Sequence, residues 1–107
     1  MATYSSAAKV TLTSTTDVTT VVAAQGAGTF ICLHGINASN ASDTDTTVDI
    51  YDGDTRLREA MPCPAGAGFF DNFMKPLRLS NNAALRVATN SSVASVNVNV
   101  KYEVKAY

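Results

Sequence analysis

The thirteen residues from Ala94 to Ala106 limit the fold more than any other part of the chain. Ala94, Val96, Val98, Val100, Tyr102, Val104 and Ala106 alternate with Ser95, Asn97, Asn99, Lys101, Glu103 and Lys105. Successive side chains of a strand point to opposite faces, so this pattern buries one face and wets the other, and its β-branched content argues against a helix. At about 3.3 Å per residue the run would reach roughly 43 Å, more than twice the usual strand length. Such a strand must bend or overhang its sheet.

Shorter strands are predicted over 9–14, with Val10 and Leu12 on one face, and over 17–23, 29–37, 46–51 and 84–89. Turn-forming residues separate them: Gln25-Gly26-Ala27-Gly28, the polar stretch 38–45, Asp52-Gly53-Asp54 and Ser80-Asn81-Asn82. Asp52-Gly53 suits the positive φ of a tight turn, so 46–51 and 56–61 are expected to pair as a hairpin. The stretch 55–61 also places Leu57, Ala60 and Met61 on one helical face before Pro62, but it is expected to be strand. Over 29–37 both faces are largely apolar, which belongs to a strand in the middle of a packed sandwich. About eight short strands without a long helix make the expected fold all-β: an antiparallel two-sheet β-sandwich, jelly-roll-like.

A chain of 107 residues is the size of one domain, read here as a single sandwich over 1–107 with residues 1–6 as a flexible arm. Hydrophobic residues at 46% and charged ones at 16% place it among globular proteins. Eight basic residues against nine acidic ones give a net charge of −1, too little basic excess for phosphate backbones to be a main source of affinity, so nucleic acid is not an expected partner. No apolar run of about 18 residues marks a membrane span, and the N-terminus has neither the basic start nor the apolar run of a secretion signal. Synthesis in a cytosol is therefore expected, and with it free thiols at Cys32 and Cys63, which lack CxxC spacing. The acceptor-like triplets at Asn37, Asn40 and Asn90 then mark only polar loops.

No catalytic, cofactor-binding or metal-ligating set emerges. His34 is the sole histidine and lies in the most apolar strand, where a buried, hydrogen-bonded imidazole is expected. The sharper alternative pairs it as base with Cys63 as nucleophile, yet Cys63 sits between Pro62 and Pro64 with no elbow or helix start. Asp43, Asp45, Asp49, Asp52 and Asp54 crowd one segment; the EF-hand spacing is missing, and they are read as solvated loop residues in preference to a cation site. A two-carboxylate glycosidase would need a larger cleft than this chain can enclose. Pro64-Ala65-Gly66-Ala67-Gly68 lacks the Lys-Ser/Thr of a phosphate loop and is read as a tight connection. In Phe69-Phe70-Asp71-Asn72-Phe73-Met74, period two puts Phe69 and Phe73 on one face and Phe70 on the other, leaving at least one aromatic for a partner.

The order of features resembles the small jelly-roll-like cement or decoration proteins that tailed bacteriophages carry on their capsids. The resemblance rests on Leu33-His34-Gly35-Ile36-Asn37-Ala38-Ser39-Asn40, Val48-Asp49-Ile50-Tyr51-Asp52-Gly53 and Pro62-Cys63-Pro64-Ala65-Gly66-Ala67-Gly68. It continues through Pro76-Leu77-Arg78-Leu79, Ala84-Leu85-Arg86-Val87 and the alternating end strand. What it implies is a non-enzymatic virion component at the capsid surface, bound to the major capsid protein and to itself as a dimer or trimer, with no cofactor, membrane or small-molecule substrate. The contact residues expected are Tyr4 in the arm, Phe69, Phe70, Phe73 and Met74, and Tyr102 and Tyr107 at the end of the last strand. Two rival roles are a head-to-tail or tail-surface component and a carbohydrate-binding sandwich.

Overall fold

The computed structural model describes residues 6–13, 16–90 and 95–107. Along the chain run β1 (Ser6–Thr13), β2 (Thr19–Val22), β3 (Thr29–Asn40), β4 (Thr46–Asp52), β5 (Thr55–Cys63), β6 (Gly68–Arg78), β7 (Leu85–Thr89) and β8 (Ser95–Ala106). Among the described residues there is no helix. All pairings are antiparallel and form two four-stranded sheets, ordered β1-β8-β3-β6 and β2-β7-β4-β5. Every connection except the β4–β5 hairpin passes from one sheet to the other, which is the double Greek key of a jelly roll. The protein is thus an antiparallel β-sandwich of eight strands.

The alternating run does what its pattern requires. Val96, Val98 and Val100 point inward and are fully buried, beside Ile31, Leu33, Ile36 and Ala38 of β3. Val48 and Ile50 of β4 and Leu85 and Val87 of β7 close the layer from the second sheet. Each such side chain contributes about 1.5–3 kcal/mol by leaving water.

β8 lies between β1 and β3 and pairs with β3 as far as Ala106, opposite Thr29, so it does not overhang its sheet on that side. The irregularity lies in its partner: Leu33 faces Tyr102 and Gly35 faces Lys101, leaving His34 as the extra residue of a β-bulge in β3. At the same point β6 slips much further, since Leu33 pairs Leu77 while Gly35 pairs Asn72. Residues 73–76 therefore bow out of the ladder, at a place where Pro76 has no N–H to contribute.

Several expected boundaries move. β3 runs three residues beyond 37, into what reads as a loop, because Asn40 is not a loop residue at all. Its amide is buried and donates to the Thr44 carbonyl at 2.7 Å and the Cys63 carbonyl at 3.0 Å. Its oxygen accepts from the Ser42 N–H at 2.9 Å and the Ser42 hydroxyl at 2.6 Å. The 55–61 stretch is strand, not helix: Gly53 at φ +61 turns the chain back, and β5 pairs β4 from Asp52–Thr55 to Thr46–Cys63. Ser6 of the expected arm is already in β1, and the other five arm residues lie outside the described residues.

Candidate functional site

The face of the first sheet that points away from the core is built by alternate residues of each strand. β8 presents Asn97, Asn99 and Lys101; β1 presents Ala7, Lys9 and Thr11; β3 presents Gly35, Asn37 and Ser39; β6 presents Gly68, Phe70 and Asn72. Short amides and hydroxyls therefore occupy the centre. Asn99 donates to the Asn37 carbonyl oxygen at 3.2 Å, and Thr11 donates to that of Asn97 at 2.7 Å. Gly35 keeps this part of the face low; a Cβ there would lie 2.9 Å from the Asn72 side-chain oxygen and 3.3 Å from the Asp71 carbonyl oxygen. The surface is accordingly hollow: one depression of about 160 Å³ is lined by Gly35, Asn37, Phe70, Asn72, Asn99 and Lys101. A second, of about 390 Å³, adjoins it beside Lys9, Thr11, Ser39 and Asn97.

The same face changes character past the bulge. Phe30 and Cys32 point outward there yet are buried, because the end of the chain and β6 fold over them. Tyr107 meets Phe30 edge to face at 6.0 Å, and the Arg78 guanidinium lies 4.3 Å from the Phe30 ring centre and 5.4 Å from that of Tyr107. Burial pushes the Cys32 thiol above its ordinary range, with Lys105 opposing that shift. Next along, His34 Nε2 sits 3.3 Å from Glu103 Oε1 with a side chain only 14% exposed, and Lys105 Nζ is 3.7 Å from the same oxygen. The two apolar faces of 29–37 thus have different covers: the core on one side, an aromatic and cationic lid on the other.

The expected contact residues separate. Phe70 stands 68% exposed on the outer face and Met74, on the bowed segment, is wholly exposed. Phe69 and Phe73 share the opposite face, as period two requires, and pack partly buried against the core. Tyr102 also turns inward against the core, whereas Tyr107 is exposed beside its Phe30 contact. Tyr4 lies outside the described residues.

The chemical alternatives do not assemble. Cys63 is buried in the core on the second sheet while His34 is on the outer side of the first, so the sheet separates base from nucleophile; burial raises the Cys63 thiol pKa too. Both cysteines are free. The crowded carboxylates diverge to separate partners. Asp45 accepts the Ala65 N–H at 2.9 Å, Asp52 takes the Ser80 hydroxyl at 2.7 Å, and Asp54 pairs with Arg86 at 2.9 Å. Asp49 points away from the core as expected but is not solvated: it is mostly covered, accepting the Ala60 N–H at 2.6 Å with Arg56 3.7 Å away. That bond holds Ala60 in a left-handed conformation, φ 57, which non-glycine residues seldom adopt.

Sequence reasoning placed Asn97, Asn99 and Lys101 on the wet side of β8 but assigned them nothing. Their signal was the uncharged Asn-x-Asn row, which becomes a surface only when β1 and β3 are known to flank it. Comparison with protein-family models, with curated proteins and with solved structures finds no match.

Proposed function

We propose that this protein is a structural virion component of a tailed bacteriophage that binds the capsid exterior and bridges neighbouring major capsid subunits. One observation carries the reading: the jelly-roll order of the two sheets, laid over a sequence pattern that resembles phage cement proteins, leaves Phe70 and Met74 uncovered on the open edge strand β6. Exposed large apolar side chains beside an unpaired edge are features that partners cover. A cement protein needs only such surfaces, because many weak contacts made by one oligomer on several subunits multiply into avidity. The protein would be made in the bacterial cytoplasm and reside on the virion.

Quantifying this chain against the major capsid protein in purified particles tests the reading. Copies in the hundreds per particle support it. A dozen or fewer would move the protein to the neck or tail, and none would remove it from the virion. The amide-lined hollow around Asn37, Asn97 and Asn99 favours a second reading, a carbohydrate-binding sandwich, which a glycan array without signal above background would dispose of.

A further inference from the structure

We infer that the outer face of the first sheet is the docking face and that it receives an acidic protein surface; the inference rests on the function just proposed, which supplies the partner. The net charge of −1 conceals a strong division. The strands of the first sheet carry Lys9, Lys75, Arg78, Lys101 and Lys105 against only Asp71 and Glu103, a net of +3. The strands of the second sheet balance, Asp49, Asp52 and Glu59 against Arg56, Arg58 and Arg86, and the remaining four carboxylates, Asp17, Asp43, Asp45 and Asp54, lie in the connections. The positive excess is therefore confined to the first sheet.

Within the basic face the charges are not equivalent. Glu103 is held by His34 and Lys105, and Arg78 is stacked over Phe30. Lys9 and Lys101 form no ion pair among the described residues. Lys9 faces Asn99 and Lys101 is two residues further along β8, so the two cations sit on one face at the diagonal spacing of roughly 7–8 Å typical of adjacent strands. Like charges that close repel, and Glu103, the carboxylate that shares this face, is already held by His34 and Lys105; the partner supplies the counter-charge. Between and beside them lie the hollow, its amides and the exposed Phe70, which offer hydrogen bonds and an apolar contact. This arrangement fits a protein better than a linear polyanion, since amides and hydroxyls separate the charges and, with Lys75 apart on the bowed segment of β6, only Lys9 and Lys101 sit together.

The test is rebinding of purified protein to shells assembled from the major capsid protein alone, at about 50 and 300 mM NaCl, a range over which screening shortens markedly. Wild type should bind and weaken with salt. The double variant Lys9→Glu/Lys101→Glu should bind at least about tenfold more weakly and lose the salt dependence, while Arg58→Glu on the second sheet stays within about twofold of wild type. Lys9→Gln/Lys101→Gln, which removes charge without reversing it, should fall between them and covers the case of a misfolded reversal. Unchanged binding of both lysine variants, or an equal loss in Arg58→Glu, would overturn the docking face. Failure of wild type to bind at all would instead overturn the capsid reading beneath it. Competition by heparin or single-stranded DNA through the same lysines would overturn an acidic protein as the partner.

Discussion

At the residue scale, Asn40 shows how much structure one buried amide can hold. It satisfies two carbonyls, one N–H and one hydroxyl, and so fastens the β3–β4 connection to the end of β5. Asn40→Ala would leave the Cys63 carbonyl without this donor inside the core and the Ser42 N–H without its acceptor, a loss of about 3 kcal/mol at the usual cost of one to two unmade bonds. Urea unfolding followed by far-UV circular dichroism would measure it. The two thiols give a pH signature. Burial raises both above the ordinary value of 9.0, so the native state keeps these protons after the unfolded chain has released them. Their contribution to stability is therefore complete below about pH 9 and is lost as pH rises through the native pKa values. Unfolding free energy measured from pH 7 to 10.5 should decline at the alkaline end, and a Cys32→Ala/Cys63→Ala protein should decline less.

At the element scale, β6 is the strand whose behaviour is least regular and most consequential. Its first residues lie so close to β3 that a Cβ at Gly68 would run into the Ala38 carbonyl oxygen. Gly68→Ala must push β6 off β3, at about 3 kcal/mol if the clash is relieved by backbone movement, and a drop in melting temperature would register it. Because β6 also carries Phe70, the same variant should weaken partner binding. How much of this was legible in the sequence depends on range. Period two over 94–106 identified β8 and its inward Val96, Val98 and Val100, and Asp52-Gly53 identified the β4–β5 hairpin, because both signals are local. The slip of β6 beside His34 was not legible: it results from pairing two strands some forty residues apart in the chain, and no neighbour-to-neighbour pattern encodes it. Asn40 was misread for the same reason, as its partner Cys63 is distant in sequence.

At the scale of the whole molecule, the sequence showed a nearly neutral chain and the topology gathers its positive excess on one sheet. Composition could exclude a basic protein, but only the order β1-β8-β3-β6 over β2-β7-β4-β5 reveals that the four lysines collect on the first sheet while the second balances its charges. The candidate contact residues were likewise half legible. Alternation separated Phe70 from Phe69 and Phe73, whereas the inward turn of Tyr102 and the seat of Tyr107 on Phe30 follow from how β8 lies against β3.

Adhesion to a large repeating surface is the role that a sandwich with one polar, basic face and an apolar edge suits. It is tested most directly by titrating purified protein onto shells built from the major capsid protein and following both the bound ratio and the temperature at which the shells come apart. Saturation at a fixed small ratio per capsid subunit is expected, with a higher disruption temperature once saturated. Binding that never saturates, or saturation with no gain in shell stability, would contradict it.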